Sequence, residues 1–90
     1  MGFFGPTPPK RITKSEFKLL MSKLYGKLEE NERHEVQKLF RGDLDEKGVD
    51  AGISQSEFDA GINWLRENMQ KHVLEESDIE YLESAAEQYF

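Results

Sequence analysis

The chain has 90 residues, 12 Lys+Arg against 18 Asp+Glu for a net charge of −6, and no cysteine. That length supports one small hydrophobic core rather than two, and the missing thiols exclude a disulfide framework, a thiolate metal site and thiol nucleophile chemistry. No apolar run approaches the roughly 20 residues that span a bilayer, and the first residues carry no apolar leader, so a soluble, cytoplasmic protein is expected.

Residues 1–11 hold all 3 prolines. Pro8-Pro9 fits neither a helix interior nor a central strand, so this stretch reads as a flexible Pro/Gly-rich arm ahead of a single domain over 12–90. Phe3 and Phe4 are unusual in such an arm; they either fold back onto the domain or anchor a partner. Pro6 stands where an N-myristoylation signal requires Ser or Thr.

The first helix is predicted to start at Thr13. Thr13 and Glu16 have capping-box spacing, and Ile12 and Phe17 occupy the two positions of a hydrophobic staple. Phe17, Leu20, Met21, Leu24 and Leu28 then form one apolar stripe. A second helix is expected after Asn31 as cap, with Val36, Leu39 and Phe40 on its inner face and Gly42 as its stop. Residues 42–53 are rich in Gly and Asp and read as a loop. Ser54 and Glu57 repeat the capping box, and Ile53 and Phe58 the staple, at the head of a third helix whose stripe runs Phe58, Ile62, Leu65, Met69, Val73. A fourth helix is expected from Ser77, boxed by Glu80, with Ile79, Leu82, Ala86 and Phe90 inward. No segment shows the alternation of a strand. The predicted fold is all-α, a small four-helix domain.

Two segments echo each other. Ile12-Thr13-Lys14-Ser15-Glu16-Phe17 recurs 41 residues later as Ile53-Ser54-Gln55-Ser56-Glu57-Phe58, and a looser echo pairs Leu28-Glu29-Glu30-Asn31 with Leu74-Glu75-Glu76-Ser77. Either two helix pairs pack with pseudo-symmetry, or capping chemistry alone has converged on one pattern.

Charge is distributed unevenly. Residues 1–41 carry 9 basic and 5 acidic side chains, residues 42–90 carry 3 and 13. The halves either pair internally or present faces of opposite sign. Lys10, Arg11, Lys14 and Lys18 cluster at the start of the first helix, where cations oppose the helix dipole. A weak nucleic-acid contact there is one alternative function, although a net charge of −6 argues against dedicated phosphate binding.

Catalytic signals are missing. No phosphate-binding glycine motif or nucleophile elbow occurs, His34 and His72 lack a partner at ligand spacing, and the paired carboxylates Glu29-Glu30 and Glu75-Glu76 read as helix ends. No enzyme is expected. Trp64 lies off the third helix's stripe and Tyr81 off the fourth's; each covers a second layer of core or contacts a partner, and together beside Ala60 and Gly61 they would make a shallow groove.

The segment 32–73 resembles the EF-hand family, in which an Asp-rich loop ends in an Ile, a hydroxyl cap and a Glu that opens the exiting helix. Asp43 and Asp45 resemble the first two ligand positions, Gly48 the turn glycine, and Ile53–Phe58 the loop's end. The resemblance implies EF-hand-like helix pairs and a Ca²⁺ site at Asp43, Asp45, Asp50 and Glu57. The pattern departs from the family in two respects. Asp43 to Glu57 spans fourteen residues where the family has eleven, and Lys47 stands at the third ligand position. Counted backward from Glu57, the loop begins at Glu46. The expected function is therefore a non-catalytic protein-interaction domain with a degenerate EF-hand-like loop and no cofactor, using Trp64, Tyr81, Phe3 and Phe4 toward a protein partner; calcium binding by the 43–57 loop is the second expectation.

Overall fold

The computed structural model describes residues 10–46 and 51–90. Four helices carry them: α1 (Lys14–Leu24), α2 (Glu30–Asp45), α3 (Gln55–Glu67) and α4 (Glu76–Ala86), the last followed by a 3-10 turn over Glu87–Tyr89. The domain is all-α, as the sequence predicts. Phe3, Phe4, Lys47, Gly48 and Asp50 lie outside the described residues.

The two hydroxyl caps stand where the sequence puts them. Thr13 Oγ1 accepts the Glu16 N–H at 3.1 Å while Glu16 Oε1 accepts the Thr13 N–H at 3.0 Å. Ser54 and Glu57 repeat this at 3.1 and 2.8 Å. Each exchange satisfies two of the backbone groups a helix end leaves open.

The other two helices begin earlier than expected. The cap of α2 is Glu29, not Asn31, and the cap of α4 is Glu75, not Ser77. Glu32 Oε1 accepts the Glu29 N–H at 2.7 Å, and Asp78 Oδ2 accepts the Glu75 N–H at 2.9 Å. The reason is tertiary: Leu74 and Ile79, the staple positions around Glu75, are both buried, and Leu28 is buried just before Glu29. Burying each Leu sets the start one residue after it, and the acidic first turns suit the helix dipole. The Leu-Glu-Glu echo is thus a structural one, since in both copies the first Glu caps a helix that begins at the second. The Glu29 N–H acts to lower the pKa of Glu32, but burial and then the neighbouring Asp78 carboxyl together hold it above its ordinary value.

Two helix ends differ as well. α2 runs through Gly42 to Asp45. Gly42 does not take a positive φ, the conformation in which glycine stops helices, and Leu44 beyond it packs against the core. That burial outweighs the roughly 1 kcal/mol that glycine costs in a helix. α3 stops at Glu67, so Met69 and Val73 leave the stripe and are exposed. Asn68 ends it by donating from Nδ2 to the Trp64 carbonyl at 2.8 Å. His72 then bonds the Leu65 carbonyl through Nε2 at 2.7 Å and accepts the Leu74 N–H on Nδ1 at 3.1 Å, which turns Leu74 rather than Val73 inward.

The first copy of the staple echo pairs with the second. Arg11–Ile12 (β1) and Ile53–Ser54 (β2) form a two-residue antiparallel ladder in which Ile12 faces Ile53 and Arg11 faces Ser54. A strand pair this short lies below the length at which alternation is visible in sequence. It makes Arg11 part of the domain rather than of the arm. Gly52 precedes the ladder at φ 91°, and a Cβ there would lie 2.6 Å from the Ile12 carbonyl oxygen, so only glycine fits.

Beneath the ladder the core is built on aromatic rings. Phe40 stacks on Phe58 at 5.4 Å between centroids, Phe17 meets Phe40 edge-on at 6.4 Å, and Phe90 tilts against Phe58 at 5.6 Å. α3 approaches α2 at Gly61, where a Cβ would lie 2.7 Å from the Phe40 ring.

Candidate functional site

Around the α2–α3 connection three carboxylates converge, the one such group among the described residues. Asp43 in the last turn of α2, Glu46 just after it and Glu57 in the first turn of α3 offer oxygens within 4.8 Å of one another. Two of the four residues that the resemblance implies as ligands are therefore together. Asp45 is not with them: it pairs instead with Lys14 of α1 at 3.7 Å. Glu46 joins the cluster in its place, and the backward count from Glu57 lands on that residue.

The cluster also includes a cation from the other echoed segment. Arg11 Nη1 lies 3.3 Å from Glu57 Oε1 and donates to the Gly52 carbonyl at 3.5 Å. Glu57 Oε1 also accepts the Ser54 N–H. These contacts set the protonation. The backbone bond from Ser54 is the main cause that holds Glu57 below its ordinary pKa, with the Arg11 charge and a hydrogen bond from Asp43 adding to it. Burial pushes Asp43 up, and the neighbouring charges of Glu57 and Glu46 push it further, while Arg11 opposes them. Asp43 therefore keeps its proton more readily than an ordinary aspartate, and Glu57 gives its proton up more readily than an ordinary glutamate. Local sequence carries no sign of Arg11 in this role; the staple echo, which sets Ile12 against Ile53, is the only pointer to it.

Chemically, three carboxylates and one carbonyl are hard oxygen donors of the kind Ca²⁺ takes, but a guanidinium already binds two of these four groups.

The two candidate aromatics touch different elements. Trp64 is 40% exposed, its ring 6.0 Å from that of His72, and it borders a groove of about 370 Å³ with Lys38, Leu39 and Lys71. Tyr81 turns to α1: its hydroxyl donates to the Lys23 carbonyl at 3.4 Å and Lys27 Nζ sits 5.8 Å from its ring centre. The groove expected between Trp64 and Tyr81 is replaced by one between Trp64 and α2, because Gly61 is spent on the contact with Phe40. His72 brackets the turn after α3, and His34 is exposed on α2.

Comparison with known protein families, curated proteins and solved structures finds no match. Among the described residues no helix is long and apolar enough to cross a membrane.

Internal pairing of the charged halves is sparse among the described residues. Arg11–Glu57 and Lys14–Asp45 cross between them. Arg66 instead binds Glu76 at 2.8 Å and Glu83 at 2.6 Å within the acidic half, tying α3 to α4, and these bonds raise its pKa. Lys23, Lys27 and Arg33 lie over tyrosine rings rather than carboxylates.

Proposed function

We propose that this chain is a non-catalytic protein-interaction domain built on a degenerate EF-hand-like loop, acting in the cytoplasm and folding without a metal. The observation that carries the reading is Arg11. In a hand counted back from Glu57, that glutamate is the twelfth position and Gly52 the seventh, two positions whose oxygens hold Ca²⁺ in a working hand. Arg11 binds both. Its guanidinium is always charged, so the loop has a permanent cation of its own. The helix–loop–helix then serves as a scaffold, and its surface is what remains for function. Trp64 supports a contact on that surface, since large aromatics beside cations and apolar atoms are typical binding anchors.

The test is photo-crosslinking from position 64 in cells, with the same crosslinker at the exposed Leu19 as a control and a chelator in the lysis buffer. A discrete protein adduct from position 64 that persists under chelation is expected. No adduct from position 64, or equal adducts from both positions, overturns the reading.

A second reading, calcium binding by Asp43, Glu46 and Glu57, is favoured by the convergence of their oxygens. It requires Arg11 to leave the cluster when the ion enters.

A further inference from the structure

The surface between α1 and α2 differs in chemistry from the Trp64 face. Lys14 and Lys18 on α1 and Arg41 on α2 stand around an open groove of about 310 Å³ whose floor includes Phe17 and Leu44. Asp45 holds Lys14 loosely at 3.7 Å. Lys18 and Arg41 meet no carboxylate among the described residues. In a chain of net charge −6, this groove sets two cations that meet no carboxylate over an apolar floor, in the basic half of the sequence.

We propose that this groove docks a short acidic segment of a partner protein, with one large apolar side chain on Phe17 and Leu44 and carboxylates against Lys18 and Arg41. The charge is complementary to an acidic chain, and the floor needs an apolar occupant. A nucleic acid fits less well: three cations, one of them engaged, neutralise few phosphates, and the acidic remainder of the molecule repels a long polyanion. The proposal rests on the reading of the chain as an interaction domain and adds a surface and a partner chemistry to it.

The experiment is an NMR titration of the full ¹⁵N-labelled chain with a synthetic peptide of glutamates around a central Leu-Phe pair. Three controls accompany it: the same peptide with Ser-Ser at the centre, the same peptide with Lys for Glu, and single-stranded oligothymidine. Saturable shifts at the Lys14, Lys18, Arg41 and Leu44 amides with the first peptide alone are expected. Lys18→Glu combined with Arg41→Glu is expected to weaken binding about tenfold or more without changing the helical signal, because two attractive charges become repulsive. If that variant fails to fold, Lys18→Ala and a salt titration of the native chain take its place, each expected to weaken binding. An absence of shifts, shifts centred on Trp64, equal binding of the Ser-Ser peptide, or tighter binding of the oligonucleotide overturns the proposal. Loss of the groove with the crosslink from position 64 intact removes this surface alone; loss of both removes the interaction-domain reading as well.

Discussion

Arg11 reaches across the two-residue ladder to Glu57, 46 residues away, and the oxygen it meets at 3.3 Å is the one that caps α3 by accepting the Ser54 N–H. One carboxylate therefore joins three things: the start of a helix, the partner strand and the acidic loop. Both side chains are partly exposed, so the ion pair alone contributes little. Arg11→Met is expected to cost about 0.5–1 kcal/mol in urea melts, near the upper end for exposed pairs, since it also leaves Asp43, Glu46 and Glu57 facing one another. A cost that is absent at low salt would mean the guanidinium is not the counter-ion of the cluster.

The caps separate by chemistry. Ser54→Ala and Thr13→Ala are each expected to cost about 1 kcal/mol. Asn31→Ala and Ser77→Ala are expected to cost only a few tenths, because neither residue caps its helix here. Equilibrium unfolding of the four variants checks this, and an Asn31 or Ser77 cost equal to that of Ser54 would move the helix starts back to the expected positions.

That contrast also shows how far the sequence was legible. A hydroxyl three residues before a glutamate, next to a buried staple, specifies a cap locally, and Thr13 and Ser54 were read correctly. Glu29 and Glu75 are weak cap types, outranked on sequence alone by Asn31 and Ser77; only the burial of Leu28 and Leu74 places them. Gly42 was read as a stop because its neighbours in sequence do not show that Leu44 reaches the core. At the loop, Asp43, Glu46 and Glu57 were within reach of the motif counted in its two registers. Arg11 was not, because its partner is set by a tertiary ladder. Asp45 falls outside the cluster for a geometric reason: two residues on from Asp43, it lies about 200° around the helix, on the side facing Lys14.

Close packing at Gly61 gives a third test. Gly61→Ala puts a methyl group within 2.8 Å of two Phe40 ring atoms and 3.3 Å from Leu39. Overpacking of this kind costs about 1–3 kcal/mol, more than the helix propensity of alanine returns. A stabilised variant would show that α3 and α2 separate easily at this point.

The acid side of the stability curve follows from the carboxyl pair. Glu57 has its folded pKa below the ordinary glutamate value, so its contribution is complete above that value and is lost as pH falls through the folded pKa. Asp43 is shifted upward, so its sign is opposite: its contribution is complete below the ordinary aspartate value and is lost as pH rises through the folded pKa. Asp43→Asn keeps a donor near Glu57 and removes the half-buried acid. It is therefore expected to raise stability at neutral pH, where Asp43 must ionise, and to leave the acid loss attributable to Glu57. Urea melts between pH 3 and 7, roughly the range over which carboxylates titrate, check this; a variant less stable than the native chain at neutral pH would reverse the assignment.

Calcium divides the two functional readings. With Arg11 in place, an entering ion must displace a guanidinium from Glu57 and from the Gly52 carbonyl, two of the groups it would need. Millimolar Ca²⁺ is therefore expected to leave the melting temperature of the native chain unchanged. Arg11→Met vacates both oxygens and leaves three carboxylates in mutual repulsion, so this variant is expected to gain stability from Ca²⁺ where the native chain does not. The gain follows RT ln(1 + [L]/Kd), about 2.7 kcal/mol when the ion is a hundredfold above Kd. Adding Glu57→Gln to Arg11→Met should abolish the gain while keeping much of the cap, since glutamine also closes a capping box. A native chain whose melting temperature rises with Ca²⁺, and loses that rise in Glu57→Gln, would make the loop a working cation site and Arg11 the group it displaces.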